Sequence, residues 1–275
     1  LCLYDTHFGY YTSKISNIGK NGDFITSPEI SQVFGELIGL WLAQVWIDHD
    51  LIMPFNLIEL GPGKGTLLKD LIRTVKNVPK FLDFSCIMLL DRSEKLIKRQ
   101  KLALKGISAD WINDVNEIPD RPTYVIANEF FDALPIRQFI KIDGLWNERC
   151  VDLDKKKHFH FCHRPAQSQD ALHALYPNLP NEVYIETNDP AIKVTSSLAK
   201  KISKNGGAFL IIDYGCFEGV GNPLQAVFKH SFSDPLNNPG ASDLTTQVNF
   251  SNLSCAASNH GLRSSNLCTQ RDFLI

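Results

Sequence analysis

Apolar positions along this chain form two kinds of run. The first kind is short and almost continuous: Leu57-Ile58-Glu59-Leu60, Cys86-Ile87-Met88-Leu89-Leu90, Thr123-Tyr124-Val125-Ile126-Ala127 and Ala208-Phe209-Leu210-Ile211-Ile212. Runs of this length, bounded by turn-forming residues, predict buried strands. Ile107 to Trp111 reads as a shorter one. The second kind has helical spacing. Leu67, Leu68, Leu71 and Ile72 share one helix face. Leu96, Ile97 and Leu102 share another, opposite a solvated face of Lys95, Lys98, Arg99 and Lys101. A third helix, capped by Asn188 or Asp189 with Pro190, runs to Lys204 and closes at Gly206-Gly207. Strands alternating with helices predict an α/β fold with a mostly parallel sheet.

Two segments depart from that rhythm. Thr26-Ser27-Pro28-Glu29 reads as a capping box with proline in the first turn. The helix it starts carries Ile30, Val33, Phe34, Leu37, Ile38, Leu40, Trp41, Leu42, Val45 and Trp46, which predicts burial on most sides. From Ile136 the period becomes two. Ile136 to Ile142 alternates, Asp143-Gly144 is a hairpin turn, Leu145 to Val151 answers it, and His158 to His163 continues the meander. Glu182 to Thr187 is extended, Leu224 to Phe228 is a strand, Ser251 to Asn259 a helix and Leu262 to Cys268 a final strand. Residues 8 to 22 read as irregular. The organisation expected is an N-terminal loop and helical lid (1–50), a ligand-binding core (51–135), an inserted β-meander with linker facing the substrate (136–181) and the C-terminal part of the core (182–275).

Composition narrows the classes. The chain has 275 residues, 44% hydrophobic, with net charge −2. Nothing in that balance draws it to nucleic acid, and no apolar run is long enough to insert into a membrane. Its seven cysteines have no C-x-x-C spacing, so free thiols are expected rather than a zinc or redox site. His158, His160 and His163 do not share one strand face and lack a completing acid or cysteine, so no metal is expected. The start, Leu1 to Asp5, has no basic segment before its apolar residues, so no secretory signal is expected; the missing initiator Met and the apolar end suggest trimming at both termini.

The chemistry centres on Glu59-Leu60-Gly61-Pro62-Gly63-Lys64-Gly65, between the first strand and its helix. Strand, glycine turn and helix hold a nucleotide-like ligand at the carboxyl edge of an open sheet. A dinucleotide site wants G-x-G-x-x-G, but Thr66 stands where the last glycine belongs. The spacing G-x-G-x-G after an acid suits S-adenosylmethionine (SAM), whose sulfonium and ammonium groups are cations that Glu59 would attract. A dinucleotide and a turn with no ligand remain the alternatives. Asp91, ending the second strand, stands where a carboxylate reaches ribose hydroxyls. Asp114 could accept from an adenine amino group or stabilise its own loop. The fourth strand delivers Asn128-Glu129-Phe130-Phe131-Asp132-Ala133-Leu134-Pro135, polar groups at a strand end where the crevice should lie. A polar turn capped by Asn and Asp is the bland reading.

These segments resemble the MidA-type family of SAM-dependent methyltransferases. The resemblance runs through Gly9-Tyr10-Tyr11-Thr12, Gly22 to Ile30, the glycine turn, Asn128 to Pro135 with Arg137-Gln138-Phe139, Ile211 to Gly215, Leu224 to Val227 and Pro239 to Thr245. It implies a class I, Rossmann-like methyltransferase fold and, in the mitochondrial branch that serves respiratory complex I assembly, methylation of a protein arginine. Gln247 and Asn249 stand where the family usually has His and Asp, and Asp91 where it usually has Glu. The expectation is a protein-arginine methyltransferase that uses SAM, with a respiratory complex I subunit as a candidate partner. It would act in the cytoplasm of a bacterium or the mitochondrial matrix of a eukaryote. Its rivals are a small-molecule methyltransferase and a non-catalytic assembly protein. Glu129, Asp132 and Glu186 are the catalytic candidates, because carboxylates can grip a guanidinium and take its proton. Thr26, Ser27, Pro28, Glu29, Glu59, Gly61, Pro62, Gly63, Gly65, Asp91, Asp114 and Asn128 are the cofactor candidates, the first four as a lid.

Overall fold

The computed structural model describes residues 1–13, 26–50, 53–219, 221, 224–228 and 230–275. Part of the irregular stretch expected over 8 to 22 lies outside them. A one-turn helix, α1 (Tyr10–Ser13), precedes α2 (Ser27–Ile30) and α3 (Gln32–Asp48). The single capped helix expected from Thr26 is thus two. Ser31 is extended, with φ −145° and ψ 126°, and its side chain accepts from the Val33 amide to cap α3. Thr26 sits at the N-cap of α2 but makes no capping bond with its side chain. Only one face of α3 is buried, through Phe34, Ile38, Leu42 and Trp46, while Val33, Leu40 and Ile47 face solvent. The expectation of burial on most sides therefore fails. On the buried face, glycines let α3 approach α4 (Thr66–Val75) closely: a Cβ on Gly35 would stand 2.7 Å from Asp70 Cβ, and one on Gly39 3.0 Å from Leu71 O.

The central sheet is parallel. Its strands are β1 (Phe55–Leu60), β2 (Ser85–Leu90, after the short α5, Phe81–Phe84), β3 (Asp110–Ile112, after α6, Glu94–Ala103), β4 (Thr123–Asn128) and β9 (Gly207–Ile212). Their order is β3-β2-β1-β4-β9. Every residue of β1 and β4 is buried, as continuous apolar runs require. β9 lies at the edge and is half-buried throughout. On α6, Leu96 is buried and Ile97 half-buried opposite the exposed basic residues, as expected, but Leu102 is exposed and Gln100 is buried in its stead. The chain runs outward from β1 to β3, then returns to the other side of β1 with β4. That reversal opens a crevice at the carboxyl ends of β1 and β4.

The inserted sheet is antiparallel, in the order β7-β6-β5-β8. It comprises β5 (Arg137–Ile142), β6 (Leu145–Leu153), β7 (Phe159–Pro165) and, after α7 (Gln169–Leu175), β8 (Tyr184–Thr187). Asp143 and Gly144 both take positive φ, the conformation of a tight hairpin turn. β8 thus extends this sheet past residue 181, and the chain re-enters the core along α8 (Asp189–Asn205). Beyond β9 come β10 (Gly215–Cys216), β11 (Gln225–Phe228), β12 (Ser231–Ser233), β13 (Asp243–Thr245), β14 (Val248–Asn249) and α9 (Phe250–Ser258). The strand expected over Leu262 to Cys268 is absent. That stretch is irregular, and the chain ends in α10 (Gln270–Leu274), whose Phe273 packs on Trp41 of α3.

Candidate functional site

The crevice between β1 and β4 is a cavity of about 1040 Å³. One side is the glycine turn. Gly61, Gly63 and Gly65 have φ of 59°, 52° and 81°, a region that bulky residues avoid. A Cβ on Gly61 would meet the Phe130 ring at 2.9 Å, whereas one on Gly63 would meet nothing within 4 Å. Gly63 and Pro62 line the cavity, so the open space beside Gly63 belongs to it. Glu59 lies beneath, buried, with Oε2 lacking a partner among the described residues. Burial, reinforced by the charge of Asp91, pushes its carboxyl up to about 8, against the pull of the Leu68 amide. A cation beside Glu59 would reverse that shift.

Asp91 follows β2. Its Oδ1 accepts from the Ser93 amide at 2.8 Å and its Oδ2 from Gln100 Nε2 at 2.6 Å. Gln100 Nε2 also reaches Gly63 O at 2.8 Å, and Gln100 Oε1 accepts from Trp111 Nε1 at 2.8 Å. One buried amide thus ties the glycine turn to the second-strand acid, a link the sequence reading missed because Gln100 sits in a polar run. Asp114 caps a short 3-10 turn, accepting from the Asn116 amide at 2.8 Å in a capping box with Glu117. It stabilises its loop and also lines the cavity.

Glu29 does not close the capping box expected with Thr26. It crosses to the far side of the turn, accepting from Lys64 Nζ at 2.9 Å and Thr66 Oγ1 at 2.5 Å. Burial opposes ionisation there, but Thr66 and Lys64 prevail and hold its carboxyl below the ordinary value. Thr26, Pro28 and Glu29 line the cavity. The Ser27 amide instead supports the carboxylate of Glu129 across it. α2 is latched to both strand ends.

The other side is acidic. Asn128 ends β4 with its Oδ1 unpartnered among the described residues. Glu129 follows at φ 50°, an uncommon backbone for a glutamate that the surrounding turn must hold in place. Burial and the neighbouring Asp213 push its carboxyl up to about 7, while Ser27 and Asn128 favour its charged form. Asp213, just past β9, accepts from the amides of Phe131 (2.9 Å), Asp132 (3.2 Å) and Tyr214 (2.8 Å). These donors favour its ionised form, so Asp132 is the acid held neutral, by burial and by the charges of Asp213, Asp243 and Glu129. Asp132 Oδ1 has no partner among the described residues. Asp243 opens β13 and accepts from Tyr11 Oη at 2.9 Å, and Tyr4 Oη donates to Ala133 O at 2.8 Å.

Glu186 is not a cavity wall. It accepts from Gln138 Nε2 at 2.5 Å and from Thr246 Oγ1, whose amide in turn donates to Asp132 O at 3.1 Å. It therefore stands behind Thr246 as a support. Asp243 lines the cavity, and Asp213, like Glu186, stands behind it, holding the turn through the Phe131 and Asp132 amides. A strand-terminal acid at 213 was the available signal. Nothing short of the fold brings 243 beside 132. Gln247 lines the cavity, and Asn249 caps α9 by accepting from the Asn252 amide at 3.0 Å, a role Asp would fill equally. His163 Nε2 lies 2.8 Å from Tyr184 Oη, and among the described residues no group of His, Cys, Asp and Glu is arranged to hold a metal. Among them, too, no helix is long and apolar enough to cross a membrane.

Residues 37–268 match the family model described as "Putative S-adenosyl-L-methionine-dependent methyltransferase". The chain is 34% identical over 268 residues to the mitochondrial protein arginine methyltransferase NDUFAF7 homolog of Drosophila melanogaster. It is 33% identical over 270 residues to protein arginine methyltransferase NDUFAF7, mitochondrial, of Homo sapiens. The alignments cover 88% and 89% of this chain and 61% of each relative, so the chain spans about three fifths of their length. A solved structure from Burkholderia thailandensis with S-adenosyl-homocysteine bound superposes with a TM-score of 0.80 at 25% identity, over 94% of this chain and 70% of that one.

Proposed function

Because the chain belongs to this family of SAM-dependent methyltransferases, we propose that it binds SAM in the β1–β4 crevice and methylates an arginine of a partner protein. The residues present fit that cofactor. Glu59 is a buried acid short of a cation. Gly63 faces empty space, and Asp91 is held beside it by Gln100. Glu59 would face the ammonium group, the glycine turn the methionine part, Asp91 the ribose and Asp114 the adenine. When bound, SAM supplies a methyl group on a positively charged sulfur, open to in-line displacement.

The observation that carries the acceptor assignment is the acid cluster. Glu129 and Asp132 line the cavity with Asp213 close behind them, and among the described residues none of these three is ion-paired to a Lys or Arg. Such a cluster pays an electrostatic penalty that an incoming cation removes. A guanidinium fits, since its planar fork can be held by more than one carboxylate. Glu129, near 7, is poised to take the proton that arginine must lose as the new N–C bond forms. Asp213 holds the turn by its amides, and Asp132 and Asp243 orient the guanidinium. The remaining task is alignment and exclusion of water. The named relatives are mitochondrial arginine methyltransferases, which supports a protein acceptor and the same compartment. In this reading the site of action is the matrix and the partner a respiratory complex I subunit.

Titration calorimetry with SAM, followed by transfer of tritiated methyl into fractionated mitochondrial lysate, tests the proposal. Label in protein, released as methylarginine on hydrolysis, is the expected result. Label only in small molecules would make the acceptor a metabolite. SAM binding with no transfer would favour an assembly protein that retains the fold.

A further inference from the structure

Large apolar side chains crowd the acidic end of the cavity. Tyr214 is 64% exposed and Phe232 79%. Tyr214 and Phe232 line the cavity itself. Phe232 belongs to a small antiparallel sheet, in the order β12-β11-β13, where Phe232 pairs with Val227 and Val227 with Asp243. Directly opposed residues of an antiparallel ladder share a face. All three line the cavity, so one row descends from an exposed aromatic through a half-buried valine to a buried acid. The next row on that face, Gln225 opposite Thr245, lines the cavity too. Tyr214 stands at the other margin. It follows Asp213 directly, lines the cavity while largely exposed, and its phenol is raised first by the charge of Glu129.

An apolar rim over an acidic floor selects on two features at once. The cavity, at about 1040 Å³, lies at the upper end of the roughly 300–1,000 Å³ of small-molecule pockets, so it has room beyond a cofactor. A free cationic metabolite would use the floor and leave the rim in water. An arginine in a chain uses both, because its neighbours land on the rim as the guanidinium goes down. We infer that the acceptor is an arginine flanked by apolar residues in an extended segment of the partner, with Phe232, Val227 and Tyr214 receiving the flanking side chains. The inference rests on the proposed methyltransferase reading and deepens it. Tyr214 adds a ring face on which a guanidinium can also stack.

Three fluorescent undecapeptides with one central arginine provide the test, flanked by leucine and valine, by glycine and serine, or by glutamate and aspartate. Anisotropy is read on the full chain saturated with S-adenosyl-homocysteine. The apolar-flanked peptide should bind at least tenfold more tightly than either other. Phe232→Ser and Tyr214→Ser should each remove most of that preference with affinity for S-adenosyl-homocysteine unchanged, which also reports an intact fold. Leu102→Ser, an exposed apolar residue on α6 outside the cavity, should change nothing. Equal affinities for the three peptides, or no binding by any of them, with S-adenosyl-homocysteine still bound, would overturn this inference alone. Failure to bind S-adenosyl-homocysteine would overturn the methyltransferase reading and this inference with it.

Discussion

The two sides of the crevice are built by different rules. The cofactor side is local: Glu59 to Gly65 is one strand end and one turn, and Asp91 and Gln100 come from the next strand and helix. The acceptor side is assembled at long range. Asn128 to Asp132 ends β4, Asp213 follows β9, Asp243 opens β13, and Tyr4 and Tyr11 come from the chain start. The charge logic differs too. On the cofactor side the buried Glu59 is raised mainly by its own burial, with Asp91 adding to it, whereas on the other side several acids raise one another. A local site can be kept by a short motif. A dispersed site depends on several distant segments being brought together by the fold.

Substitutions can break that comparison. Gly63→Val should cost at least a hundredfold in SAM affinity by calorimetry, because the new side chain enters space that is empty of protein. Gly106 also has a positive φ and open surroundings but lies outside the cavity, so Gly106→Val should carry similar backbone strain and bind SAM normally. Normal SAM binding by Gly63→Val would dissolve the cofactor side as described. Next in size, Gln100→Leu should weaken SAM binding about tenfold, within the ~1–3 kcal/mol of leaving buried polar groups unpaired, since Gly63 O and Asp91 Oδ2 both lose their donor. An unchanged affinity would make Gln100 a packing residue only.

A smaller effect separates the sides by pH. Glu59 and Glu129 have carboxyls raised by burial to about 8 and about 7, so the folded protein binds protons the unfolded chain has released. Their contribution to stability is therefore full below about pH 4.5 and is lost as pH rises through 7 to 8. The melting temperature of the ligand-free protein should fall by several degrees between pH 5 and pH 8, at about 2–4 °C per kcal/mol. Saturating SAM should remove the part due to Glu59 and leave the part due to Glu129. A profile that SAM does not alter would contradict the pairing of Glu59 with a cation. Smallest of all, Asn249→Asp should shift stability by less than about 0.5 kcal/mol, because both residues cap α9.

Much of the cofactor side is legible in sequence because its physics is local. An acid, alternating glycines and a helical period in one stretch fix strand, turn and helix together. α3 was misread because apolar content does not say which face is covered: Gly35 and Gly39, not the number of large side chains, mark where α4 packs. Glu29 was misread for a related reason, since the i, i+3 spacing of a capping box is satisfied even when the carboxylate has a better donor in Lys64. The acceptor side was legible only at Asn128 to Asp132. Asp243 and Tyr11 meet through the tertiary fold, and no spacing in the chain encodes their contact.

The central claim is that Glu129 serves the acceptor and not the cofactor. Glu129→Gln keeps the size and hydrogen-bonding capacity of the side chain and removes its charge. The direct measurement is SAM affinity and single-turnover methyl transfer on the same preparation of this variant. The account predicts SAM affinity within about twofold of the unsubstituted protein and transfer slower by about two orders of magnitude or more, the contribution of a positioned base. Loss of SAM binding together with transfer would place Glu129 on the cofactor side and contradict the division of the site.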